Sequence, residues 1–111
     1  MEKKKYSPKE KDQIYRQCLD RYGEAAQMDM AIEEMSELTK ALLKWRRAAR
    51  DIQAKGILRT NVIEEIADVK IMMRQMELLF DCEEEVTGWV DCKVERQVGR
   101  LSETPKKGAT A

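Results

Sequence analysis

The chain has no histidine. That absence excludes His general acid–base catalysis, Ser-His-Asp and Cys-His nucleophile systems, and His-liganded zinc. It also excludes the Glu-x-x-His di-iron bundle. Proline occurs twice and glycine five times, so little interrupts a helix. Aromatic residues are scarce, at 5%. No apolar run approaches the roughly 18 residues of a membrane span. Three cysteines, Cys18, Cys82 and Cys92, form no Cys-x-x-Cys pair, and an odd count is no disulfide framework. With no signal peptide, they read as packing residues in a reducing cytoplasm. Any chemistry must come from carboxylates, Lys, Arg, hydroxyls, thiols or a metal.

Charge is what the chain has in abundance. Charged residues are 38% of the 111, against roughly 25% in an average globular protein. Acidic and basic side chains balance, so the net charge is zero, which argues against a dedicated nucleic-acid binder. Apolar residues at helical spacing among these charges predict an all-α protein, one domain over residues 1–103 with a disordered tail at 104–111.

Four helices are expected. Ser7-Pro8-Lys9-Glu10 is a helix start: Ser7 caps, Pro8 takes the first helical position and Glu10 completes a capping box. The first helix runs from Pro8 to Tyr22, with Ile14, Cys18, Leu19 and Tyr22 inward, and Gly23 breaks it. The second runs from Glu24 to Arg50 on a stripe of Met28, Ile32, Met35, Leu38, Leu42 and Ala49. Residues 51–60 lose the pattern around Gly56, and Asn61 caps a third helix reaching Phe80. Its inward stripe is Ile63, Ile66, Val69, Met73, Met76 and Phe80. A fourth helix runs from Glu83 to Ser102 on Val86, Val90, Val94, Val98 and Leu101, with Asp81 as cap.

The second and third helices repeat one string. Residues 32–38 read Ile-Glu-Glu-Met-Ser-Glu-Leu, and residues 63–69 read Ile-Glu-Glu-Ile-Ala-Asp-Val. Glu34 with Glu37, and Glu65 with Asp68, are i,i+3 pairs that share one side of a helix. Two such helices facing each other across an approximate two-fold would gather four carboxylates. Such a cluster needs cations or must stay in water, and Mg²⁺ is the hard ion that takes oxygen ligands. A single Glu-x-x-Glu is usually solvated surface; matching angular positions in both copies argue for a site. Glu33 and Glu64 point further from the apolar stripe and read as surface residues.

Glu34-Met-Ser-Glu37, followed after 27 residues by Glu65-Ile-Ala-Asp68, resembles the ExxE…ExxD pattern of the MazG-like all-α nucleoside triphosphate pyrophosphohydrolases. The wider strings look like compact single-domain members from Gram-positive bacteria and their phages. The resemblance covers roughly residues 20 to 101. It implies Mg²⁺-dependent hydrolysis of a nucleoside or deoxynucleoside triphosphate to monophosphate and pyrophosphate, with Mn²⁺ able to substitute. Glu34, Glu37, Glu65 and Asp68 would then be the metal ligands, with Glu37 or Glu34 positioning or deprotonating the attacking water. The broad apolar stripes predict a homodimer or homotetramer, and the resemblance points the same way and to a role in nucleotide-pool cleansing; the lack of a long apolar run predicts no membrane partner.

A triphosphate also needs cationic side chains. Lys93, Arg96 and Arg100 lie on one side of the fourth helix and are candidate phosphate contacts; their alternative is a solvated basic face. Related enzymes show Lys-x-x-Arg-Asn there, and Gln97 stands in the place of that Asn. Asn61 begins the third helix near the acidic residues and is a candidate nucleotide contact. Lys44, Arg46, Arg47 and Arg50 fit a helix C-terminus on dipole grounds. Trp45 and Trp89 read as core or subunit packing. Two other classes compete with the enzyme: a non-catalytic helical assembly module, and a nucleic-acid-binding helical protein using the basic cluster and the N-terminal arm.

Overall fold

The computed structural model describes residues 3–48 and 52–103. Every regular element among them is α-helical: α1 (Pro8–Tyr22), α2 (Glu24–Arg47), α3 (Ile52–Phe80) and α4 (Glu83–Leu101). The expected positions Ala49 and Arg50 and the expected tail lie outside the described residues. The chain divides into two compact units, Met1–Asp81 with α1 to α3 and Cys82–Ala111 with α4.

The start of α1 follows directly from its sequence. The Ser7 hydroxyl accepts from the Glu10 amide at 3.1 Å, and the Glu10 carboxylate accepts from the Ser7 amide at 3.0 Å. This capping box satisfies two amides that a helix start leaves open. Gly23 ends α1 at φ +96°, a conformation that glycine adopts without a Cβ penalty.

α2 and α3 form an antiparallel pair, and its seam is the core of the first unit. On α2 the inward residues are Gln27, Ala31, Glu34, Leu38, Ala41 and Trp45; on α3 they are Leu58, Val62, Glu65, Val69, Met72, Met76 and Leu79, with Gln75 beside them. Each series alternates steps of three and four, the spacing of a coiled-coil seam. Ala31 and Ala41 are small enough to let the helices approach closely. The seam is therefore turned about one residue from the expected stripes. Ile32 is 62% exposed and Ile66 44%, whereas Ala31 is 3% and Met72 5% exposed.

α3 also starts nine residues earlier than the expected cap at Asn61. Gly56 sits inside it, and the Thr60 hydroxyl donates to the Gly56 carbonyl at 3.1 Å. Leu58 continues the seam, and the Lys55 ammonium lies 5.7 Å from the Trp45 ring centre. Packing and this cation–π contact offset the roughly 1 kcal/mol cost of a mid-helix glycine. Asn61 is consequently an exposed residue within α3, not a cap.

α1 is held to α3 by a forked ion pair. The Arg74 guanidinium donates to both Asp12 carboxylate oxygens, at 2.9 and 2.8 Å, and to Glu77 at 3.2 Å. Hydrogen bonding to Arg74 holds Asp12 below its ordinary value. Cys18 and Leu19 are half-buried as expected, while Ile14 and Tyr22 are exposed.

In the second unit, Cys82 occupies the cap position of α4 without a side-chain hydrogen bond. Asp81, the expected cap, instead makes the turn with φ +50°, which a short polar side chain tolerates. Val86, Val90, Val94, Val98 and Leu101 of α4 are all solvent-exposed. No helix among the described residues is long and apolar enough to cross a membrane.

Candidate metal centre

The rotation of the seam has a direct chemical result. Glu34 and Glu65 are not on the flank of the core, as the expected stripes would place them. They occupy seam positions midway along α2 and α3, each half-buried against the other helix. Asp68 follows Glu65 by one turn. Ligand oxygens of Glu34, Glu65 and Asp68 lie within 4.8 Å of one another.

Their electrostatics follow from crowding and lost water. Glu34 is pushed above its ordinary value by desolvation first, then by the neighbouring Asp68 carboxylate, and by Glu65 and Glu33. Glu65 is raised by desolvation first, then by Asp68, Glu37 and Glu64. Glu65 Oε2 is buried and has no hydrogen-bond partner. A carboxylate oxygen so placed lacks both water and a donor, which is costly unless a cation or a proton faces it.

Glu37 stands at the rim. It is half-buried, near enough to Glu65 to raise that group, and its own carboxylate accepts from the Lys40 ammonium at 3.3 Å. Glu33 and Glu64 are exposed and contribute only repulsion toward the cluster. Asn61 lies one helical turn before Glu65 on α3. Lys93, Arg96 and Arg100 lie on α4 in the second unit and are exposed.

Carboxylate oxygens are the donor set that Mg²⁺ and Mn²⁺ prefer, and the orphaned Glu65 oxygen is the kind of atom such an ion satisfies. The residues present therefore fit a divalent cation. One further feature of this seam escaped the sequence reading: a buried pair of amides, Gln27 and Gln75, in which the Gln27 Nε2 donates to the Gln75 Oε1 at 2.6 Å. Once the seam is known, polar residues at its positions are the signal.

No family model matches the sequence, and no curated protein or solved structure matches it.

Proposed function

We propose that this chain is a Mg²⁺-dependent nucleoside triphosphate pyrophosphohydrolase that releases a nucleoside monophosphate and pyrophosphate. The observation that carries the reading is the meeting of Glu34, Glu65 and Asp68 across the α2–α3 seam with one carboxylate oxygen left unpartnered. The resemblance of the repeated acidic string to the MazG-like enzymes supplies the substrate class.

In this reading Glu34, Glu65 and Asp68 hold the cation, and Glu37 completes the set from the rim. When bound, Mg²⁺ neutralises triphosphate charge and makes a bound water more acidic. Mn²⁺ would serve the same donors. Glu34 or Glu37 orients the water and takes its proton. Lys93, Arg96 and Arg100 are assigned to the phosphates and Asn61 to the nucleotide. The α2–α3 pair exposes Ile32, Met35, Leu42, Ile63, Ile66 and Phe80, and α4 exposes its valine stripe. Such surface is expected to be covered in a homodimer or homotetramer, which sedimentation of the active preparation would register as a multiple of 12.9 kDa. The setting assigned to the enzyme is the cytoplasm, where it would cleanse the nucleotide pool.

The test is hydrolysis of a panel of NTPs and dNTPs with Mg²⁺, with products separated by chromatography. Monophosphate and pyrophosphate are expected. Glu37→Ala and Asp68→Ala should each lower turnover by about a hundredfold or more, the usual scale of losing a catalytic acid–base or ligand group. No product, or diphosphate with phosphate, would sink the proposal and leave a helical assembly module as the better account.

A further inference from the structure

The buried amide pair stands in a fixed relation to the carboxylates. Gln27 lies seven residues before Glu34 on α2, and Gln75 lies seven residues after Asp68 on α3. On antiparallel helices these are equal displacements in the same direction, two turns or roughly 10.5 Å. A hydrogen bond between Gln27 and Gln75 therefore requires the same alignment of helices that brings Glu34 to Asp68. α2 ends at Arg47 and α3 begins at Ile52, so the helices follow one another in the chain at the opposite end of the seam. The carboxylates thus lie between a covalent tie at one end and the amide pair at the other.

The other apolar members of the seam favour that alignment by shape rather than by directional bonds. They are Ala31, Leu38, Ala41 and Trp45 facing Leu58, Val62, Val69, Met72, Met76 and Leu79, whose packing is non-directional. The clustered carboxylates oppose the alignment, since they repel one another. The Asp12–Arg74 pair ties α1 to α3 and reaches α2 only indirectly, through Gly23 and the packing of α1 on α2. Gln27 and Gln75 are 7% and 3% exposed, so both amides are desolvated. Displacement by one turn would separate them by about 5.4 Å and leave both without their bond. A single buried polar pair in an apolar seam is a known means of fixing register at some cost in stability.

We propose that Gln27 and Gln75 are positioning residues: their buried hydrogen bond sets the register of α2 against α3 and holds Glu34 and Glu65–Asp68 opposite one another. The part concerning the metal rests on the function proposed above; the register itself does not.

The test uses the full chain with Cys18, Cys82 and Cys92 changed to Ser. Spin labels are placed on Cys at the exposed positions Asp29 and Arg59, and labelled chains are diluted into unlabelled ones. The pulsed-EPR distance should be narrow in this background. The Q27M/Q75M double variant keeps side-chain length and removes the directional bond, so its melting temperature should be unchanged or higher. Its distance distribution should broaden or shift by up to about 5 Å, the rise of one turn. Its Mn²⁺ affinity should fall roughly tenfold or more, the usual scale for groups that orient metal ligands. The Q27M and Q75M single variants, each leaving one buried amide orphaned, should melt lower than the double. A narrow, unshifted distance in the double variant would overturn the proposal. If the parent protein binds no Mn²⁺ but the distance still shifts, the metal reading fails while the register role stands. If the distance shifts while Mn²⁺ affinity holds, the Gln pair sets the register without positioning the ligands, and that half of the proposal fails.

Discussion

Glu65 concentrates the conflict within the candidate site. Its carboxylate sits among like charges with one oxygen cut off from any donor, and it is raised by desolvation first. Glu34 is raised by the same dominant cause. A raised carboxylate binds protons in the folded state that the unfolded chain has already released, so its contribution to stability falls as pH rises. Asp12 and Glu10 are lowered, by the Arg74 fork and by the Ser7 capping box, and their contributions disappear only under more acidic conditions. Metal-free protein should therefore gain thermal stability as pH falls from neutral toward the ordinary carboxylate range, then lose it at lower pH as Asp12 and Glu10 take up protons. Saturating Mg²⁺ should suppress the rise, because the ion then faces the oxygens that protons would otherwise neutralise. Melting curves across pH, with and without Mg²⁺, check this. A metal-free melting temperature that falls steadily from neutral pH would contradict it.

Helix boundaries followed from local chemistry wherever that chemistry was decisive. Ser7, Pro8 and Glu10 state the start of α1, and Gly23 states its end, because capping and positive φ are local requirements. Gly56 misled for the complementary reason. A glycine weakens a helix without forbidding it, and the packing of Leu58 and Trp45 is a tertiary fact that residues 51–60 do not display. The structure makes this measurable. Nothing lies within 4 Å of a Cβ placed on Gly56, so Gly56→Ala should stabilise the fold by about 0.5–1 kcal/mol in denaturant unfolding. A neutral or destabilising result would mean that α3 does not run through this position.

The face that each helix buries was legible only in part. Leu38, Val69 and Met76 belong to both the expected and the observed stripes. The larger side chains Ile32, Met35, Ile63 and Ile66 lie about 100° away, and hydrophobicity alone favours them. Alanines at the contact allow closer helix approach, which a one-helix pattern does not reveal. The acidic repeat was legible as letters and as helical spacing. Its chemical position was not, because carboxylates at seam positions contradict the pattern that locates a seam.

At the scale of the whole molecule, the antiparallel α2–α3 pair carries both the core of its unit and the acidic repeat. One flank of the pair presents Glu33, Glu37, Glu64 and Asp68, and the other presents Ile32, Met35, Ile63 and Ile66. Between them lies a seam that contains its own destabilising element, the Glu34–Glu65–Asp68 cluster. A ligand that binds only the folded state stabilises it in proportion to its occupancy. The most direct measurement is thermal unfolding of the full chain against Mg²⁺ concentration, beside Glu65→Gln. The melting temperature of the parent should climb with Mg²⁺. Glu65→Gln, which removes the orphaned charge, should melt higher than the parent without metal and respond little to its addition. A parent indifferent to Mg²⁺, or a variant that responds as the parent does, would contradict a metal centre in this seam.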